Sequence, residues 1–344
     1  MDISVIIPTY RRPEKLHACL RAFGEQTLDP SRFEVLIGFD GYDPEGAEAA
    51  RRACPERIRG SVRLVEGDRV GLTGVRNRLM ATVRGWVLLS TNDDVLPEPG
   101  FLEAHLRAHE QARAERRVVV ISGASPWVVH QPDRLFDRLV RETSMVFFYN
   151  GMDTPESLAQ PDKDWGFRHA WGLNMSMPTQ AVREVGNFTV FPAWYGYEDN
   201  EIAFKLKERF SAPVLYRPDA RLWHDHRMEP DAYLTREFSL GYAAFGVAQT
   251  SPAFARATFG RAVNEAPELS YSREFVRRER TGAARALPTF RALTQLPPSL
   301  LDGPAGATLR DALYQQHLLL KRWMWRAGLI AAAENRPMQV EWPE

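Results

Sequence analysis

The run Thr91-Asn92-Asp93-Asp94-Val95 closes an apolar stretch with two adjacent carboxylates. Neighbouring negative charges repel, and burying them is expensive unless a cation or hydrogen-bond donors satisfy them. A divalent cation shared with a diphosphate would do so, because hard cations take oxygen ligands from carboxylates and phosphates together. A helix N-cap is the competing reading, since Asp94 lies just before Pro97-Glu98-Pro99. A second acidic group stands in Trp194-Tyr195-Gly196-Tyr197-Glu198-Asp199-Asn200-Glu201. Aromatic rings pack on the C–H faces of sugars, and a carboxylate beside them could serve as general base toward a docked hydroxyl. The same residues suit an acidic helix start that complements the macrodipole, and both readings can hold together. The third group is Trp223-His224-Asp225-His226-Arg227. His-x-His after a strand turns both imidazoles to one side, which suits metal ligation, although such histidines can equally be structural.

These groups need elements to hold them. Ser4 to Ile7 is a β-branched apolar run stopped by Pro8, which predicts a buried strand. Pro13 then opens a helix with Leu16, Cys19, Leu20 and Phe23 at helical spacing. Phe33 to Phe39 predicts a second strand, Pro44 to Ala53 a helix and Val62 to Val65 a third strand. Thr73 to Arg84 predicts a helix, Trp86 to Ser90 a fourth strand, Gly100 to Ala114 a helix and Val118 to Ser122 a further strand. Alternation at this pitch means βαβ units and a mostly parallel sheet with helices on both faces. Ligands of such sheets bind beyond the carboxyl ends of the strands. Asp40 and Asn92-Asp93-Asp94 both follow predicted strands, so they should face one crevice. Residues 124 to 198 read as a loop-rich, substrate-shaping insertion, Asp199 to Phe210 as a helix, Pro213 to Trp223 as one or two short strands and 231 to 333 as mainly helical. The division this suggests is a domain over 1–230, with a nucleotide half at 1–123 and an acceptor half at 124–230, followed by a helical region at 231–344.

Composition sets outer bounds. The 344 residues carry 44 basic and 44 acidic side chains, so nothing in the overall charge favours nucleic acid. Two cysteines, Cys19 and Cys54, offer neither zinc spacing nor a disulfide framework. The N-terminus lacks the basic and apolar regions of a signal peptide, and no window approaches the ~20 apolar residues of a bilayer span, so a cytoplasmic location is expected. Leu313 to Ala333, with Leu318, Trp323 and Trp325, is amphipathic and could pack on the core, form a homo-oligomer contact or touch the inner membrane face peripherally.

The order of these motifs resembles family-2 glycosyltransferases with the GT-A fold. Val5-Ile6-Ile7-Pro8-Thr9-Tyr10 is similar to the family's opening strand, Phe33 to Gly41 to its second strand, and Gly74-Val75-Arg76-Asn77-Arg78 to its "ARN" helix start. Leu89 to Leu102 resembles its "DDD…PxPGF" segment, Asn174-Met175-Ser176 its "N-x-S" strand, and Tyr197 to Glu201 its "wEDxE" motif. The likeness covers residues 3 to about 227. It implies a Rossmann-like, mostly parallel sheet flanked by helices, and a metal-dependent, inverting transfer of the hexosyl-transfer class, using Mn²⁺ or Mg²⁺. A nucleotide-diphosphate sugar, UDP-sugars first, would be the donor and a saccharide or other hydroxyl the acceptor.

By the same resemblance Thr9 and Asp40 would hold base and ribose, Arg76 would lie near the diphosphate, and Pro8, Tyr10, Arg12, Asn77, Asn92 and Asp93 would complete the donor site. Asp94 would bind the metal with His224, His226 standing as the alternative ligand. Asp199 would be the catalytic base and Glu198 an acceptor contact beside Trp171, Asn174, Trp194, Tyr195 and Tyr197. Asn92 stands where the first Asp of D-x-D is common, and Phe39 replaces the first Asp of a paired "DD"; neither contributes charge. Two rival readings are a nucleotidyltransferase, although Pro8 to Arg12 lacks the glycine-rich phosphate loop, and a catalytically inactive nucleotide-sugar binder.

Overall fold

Ile3–Thr9 forms β1, buried along its whole length and third from one edge of a seven-stranded sheet in the computed structural model, which describes residues 1–192 and 196–343. β2 (Phe33–Phe39) and β3 (Val62–Val65) extend the sheet in parallel on one side, and β4 (Val87–Thr91) lies parallel on the other. The ribbon strand β5 is Val95–Pro97. Beyond β4 come β7 (Asn174–Pro178), β6 (Val120–Gly123) and β8 (Val214–Arg217), giving the order β3-β2-β1-β4-β7-β6-β8. β7 runs antiparallel to both neighbours, while β6 and β8 are parallel to each other. Short β9 (Leu222–His224) pairs antiparallel with β5, setting Val95 opposite His224.

The helices Pro13–Gly24, Pro44–Ala53 and Gly71–Met80 cross between the parallel strands. Burial of both sheet faces explains why β1 and β2 are mainly apolar, with the buried Ser4 hydroxyl donating to the buried Glu34 carboxylate across the pair. One face packs Ile6, Leu36, Val75, Leu79, Leu88, Met175, Ile202 and Leu206 into a common core. This sheet and its helices form one compact unit of residues 1–128, 151–190 and 198–226.

The span 124–198 contains more regular structure than its composition suggests, because β7 is an interior strand of the sheet. Its sequence, Asn-Met-Ser-Met-Pro, alternates polar with apolar residues but has no β-branched or aromatic residue, so its resemblance to the N-x-S strand marks it better than its propensity does. The predicted helix at Thr73 begins at Gly71, where Asp40 Oδ1 accepts the Val70 and Gly71 N–H groups at 2.7 and 3.0 Å. A cap supplied from a distant strand end leaves no local signature.

The second unit comprises residues 129–150, 191–197 and 227–344. Its helices Pro230–Thr250 and Gly303–Ala333 run side by side in the same direction, with Tyr233 beside His317 and Gly241 beside Trp325. Their backbones touch: a Cβ on Gly241 would collide with the Trp325 carbonyl, and one on Gly328 with that of Phe238. Ala266–Ala292 returns antiparallel, with Trp323 Nε1 donating to Val276 O at 3.0 Å and Arg326 reaching Glu268 at 2.6 Å. Leu320, Trp323, Met324 and Ile330 are buried, so the amphipathic stripe of this last helix is core. Among the described residues no helix is long and apolar enough to cross a membrane.

Candidate functional site

Two carboxylate groups come to the same edge of the sheet. β4 ends at Thr91, and Asn92-Asp93-Asp94 follow at its carboxyl end. Because β7 is antiparallel to β4, the residues leading into β7 lie at that end as well. Thr91 Oγ1 donates to Leu173 O at 2.7 Å, and the preceding Gly172 N–H donates to Asp199 Oδ2 at 2.7 Å. Asp199 opens the helix Glu198–Phe210.

Asp93 is fully buried and takes Thr9 Oγ1 at 2.7 Å on one oxygen. Arg12 spans both aspartates, one guanidinium nitrogen on Asp93 Oδ1 and the other on Asp94 Oδ2 at 2.9 Å. Burial raises the Asp93 carboxyl to about 6 against the pull of Arg12 and Thr9. Burial acts on Asp94 in the same sense, but His224, Arg12 and His226 outweigh it and hold that carboxyl well below the ordinary range. A pair pushed apart in this way keeps Asp94 ionised at neutral pH.

The β5–β9 ribbon brings His-x-His to Asp94. Asp225 N donates to Asp94 O at 2.8 Å, His224 Nε2 lies 3.7 Å from Asp94 Oδ1, and His226 Nδ1 lies 3.7 Å from Oδ2. The two imidazoles are stacked at 5.6 Å, with Trp127 against His224 at 4.3 Å. Both separations exceed hydrogen-bond length, and Asp94 Oδ1 is buried without a hydrogen-bond partner. The buried carboxylate oxygen suits Mn²⁺ or Mg²⁺, and the imidazole nitrogen it faces favours the transition ion Mn²⁺ of the two. Among the described residues no three His, Cys, Asp or Glu side chains gather closely enough to hold an ion alone, so such a cation needs oxygens from a ligand.

At the second group, Arg76 is fully buried and pairs with Asp199 Oδ1 at 2.6 Å and Glu198 Oε1 at 3.3 Å. Asp199 is about one-quarter exposed, whereas Glu198 is buried. A Cβ on Gly172 would fall onto Asp199 Oδ1, so only glycine brings its N–H this close.

The other predicted residues are placed as follows. Asn92 Oδ1 is buried without a hydrogen-bond partner beside the aspartates. Pro8 is buried in β1, and Tyr10 is exposed with the Arg69 guanidinium 4.6 Å from its ring centroid. Asp40 caps the helix Gly71–Met80 as described. Asn77 exchanges both amide bonds with Phe188, donating to its carbonyl at 2.8 Å and accepting its N–H at 3.2 Å. Trp171 is half-buried, 5.7 Å from His169. Tyr197 belongs to the second unit, where its ring meets Phe259 and its hydroxyl accepts from Trp325 Nε1 at 3.2 Å. Trp194 and Tyr195 lie outside the described residues.

Asn174 has a structural setting. Its Nδ2 donates to Ala124 O at 3.0 Å and Ala220 O at 2.9 Å, leaving Oδ1 to accept from His105 Nε2 at 2.9 Å. His105 Nδ1 therefore accepts from Ser176 Oγ at 2.7 Å, and that oxygen accepts from His109 Nε2 at 2.8 Å. Both histidines are buried, which lowers them to about 4 and about 3, so the chain holds them neutral. Nothing in the sequence pointed to His105 or His109, four apart on one helix, as partners of Ser176. Gly172 was missed too; its trace is the glycine just before the Asn174-Met175-Ser176 strand.

A parallel sheet continued by an antiparallel strand, with carboxylates gathered at the strand ends, is the arrangement of the GT-A fold. Residues 4–159 match the family model of glycosyl transferase family 2. The fold is similar to that of the mannosyltransferase PcManGT from Pyrobaculum calidifontis, in complex with GDP-Man and Mn²⁺, with a TM-score of 0.56 and 18% identity over 97% of this chain and 86% of that one. In sequence it is 27% identical over 219 residues to validoxylamine A glucosyltransferase of Streptomyces hygroscopicus subsp. limoneus, covering 59% of this chain and 47% of that protein. It is 31% identical over 101 residues to glycosyltransferase AglE of Haloferax volcanii, covering 29% and 33%. The chain spans about half the length of the first of these relatives and a third of the second.

Proposed function

We propose that this chain transfers a sugar from a nucleotide-diphosphate donor to an acceptor hydroxyl in a single inverting displacement assisted by a divalent metal. What supports the reading is that Asp94 follows the carboxyl end of β4 while Asp199 is tied to the same region through the Thr91–Leu173 and Gly172–Asp199 hydrogen bonds. The acceptor hydroxyl loses its proton to Asp199 as its oxygen forms a bond to the anomeric carbon. On the opposite face the bond from that carbon to the diphosphate oxygen breaks, and the nucleoside diphosphate departs with the electron pair. Arg76 and Gly172 fix the Asp199 carboxylate for this proton transfer, and orientation of that kind contributes much of an enzymatic rate. Asp94, with His224 or His226, would hold Mn²⁺ or Mg²⁺, which supplies charge neutralisation at the leaving diphosphate. Asn92, whose Oδ1 is buried without a hydrogen-bond partner, would meet the donor's ribose or sugar hydroxyls.

Asp199→Asn tests the assignment. Thermal-shift titration with UDP, GDP and dTDP plus Mn²⁺ should identify the carrier nucleotide and give the same response in wild type and variant. Transfer from the corresponding nucleotide sugar should fall by at least a thousandfold. Undiminished turnover would remove Asp199 from the role of base.

A further inference from the structure

We infer that Arg12 is a tethered cation that competes with the divalent metal for Asp94. The inference rests on the metal-assisted reading above and extends it to a residue which that reading does not use. Arg12 reaches Asp93 Oδ1 with one nitrogen and Asp94 Oδ2 with the other, so one positive charge is shared by two buried carboxylates. Its own side chain is 43% exposed, with Asp94 at 6%. The arginine thus stands on the open side of the pair, where a ligand would approach, and its backbone neighbour Arg11 has a left-handed φ of +51°. Among the described residues its guanidinium is tied only to these two carboxylates.

Charge balance requires the exchange. Asp93 and Asp94 sum to two negative charges, and Arg12 cancels one of them. A divalent ion at Asp94 with Arg12 still in contact would place two cations against the same carboxylate, and their repulsion falls directly on metal affinity. Release of Arg12 removes that repulsion, and its planar fork is then offered at the mouth of the site, where a diphosphate presents bidentate acceptors. Metal and donor therefore bind together more readily than metal alone, with the arginine moving from carboxylate to phosphate. The carboxylate pair passes from one net negative charge with Arg12 in contact to neutrality with the divalent ion in its place.

The experiment is Mn²⁺ binding without nucleotide, read by electron paramagnetic resonance of the free ion. It compares wild type with Arg12→Gln, Arg12→Lys and, as the site control, Asp94→Asn. Arg12→Gln should bind Mn²⁺ at least tenfold more tightly than wild type. Arg12→Lys, which keeps the charge but loses the fork, should stay within about threefold of wild type, and Asp94→Asn should lose the binding. Equal or weaker binding by Arg12→Gln, with wild type binding and Asp94→Asn not, overturns the competition and leaves the metal-assisted reading standing. No binding in any variant overturns both.

Discussion

Gly172 donates its backbone N–H to Asp199 Oδ2 at 2.7 Å, and the opposite oxygen takes Arg76 at 2.6 Å. The carboxylate is gripped from two sides by a main-chain dipole and a buried guanidinium, so its plane is fixed before any acceptor arrives. Gly172→Ala would push a methyl group into that carboxylate and displace it. The expected outcome is a fall of about a hundredfold in kcat/KM. Nucleotide binding in Mn²⁺ should be retained in a thermal-shift titration. Wild-type transfer by the alanine variant would show that the geometry of Asp199 does not limit the reaction.

Acid should destabilise the sheet unit through His105 and His109. Burial holds their folded values at about 4 and about 3, below the ~6.5 of an unfolded histidine. The unfolded chain therefore binds protons that the folded chain refuses, and stability is lost as pH falls from about 6.5 toward those values. Between pH 7 and 5 the two histidines together should cost on the order of 3 kcal/mol. Urea unfolding at the two pH values measures this, and a His105→Gln, His109→Gln double variant should show a shallower dependence than wild type. Parallel slopes for the two proteins would mean that these histidines are not held neutral.

Gly241 sets the contact between two parallel helices in the second unit. Gly241→Ala would drive a methyl group into the Trp325 carbonyl, a backbone atom that no rotamer change can move aside. Overpacking of this kind costs about 1–3 kcal/mol. Amide hydrogen exchange should then accelerate in Pro230–Thr250 and Gly303–Ala333. Unchanged protection in both helices would show that their separation adjusts freely.

The parallel half of the sheet was legible because β1 and β2 are mainly apolar, and the helices that follow them open with prolines. Asp93, Asp94, Asp199 and His224 were legible as charged or ligating residues at element ends. What stayed hidden depends on long-range pairing. β7 alternates polar with apolar residues, but its interior place in the sheet depends on Ser176 and Asn174 being buried against two histidines from a helix some seventy positions earlier. Arg12 read as a donor contact, and its span of both aspartates follows only from the parallel pairing of β1 with β4. Asp40 and Asn77, expected among the donor contacts, have polar atoms tied to the Val70–Gly71 and Phe188 backbones, bonds that no local pattern announces.

The helix Leu135–Glu142 has a practical bearing on how this protein can be cut. Although it precedes β7 in the chain, it belongs to the second unit: Phe136 meets Phe290 edge-on at 5.3 Å, and Leu135 N bonds to Leu296 O. A fragment ending near residue 230, where composition invites a break, would carry Leu135, Phe136, Leu139 and Val140 without the surface that shields them. Such a piece would be sticky rather than self-sufficient. The ribosome faces the same arithmetic, since this early helix must wait uncovered until the last third of the polypeptide has emerged.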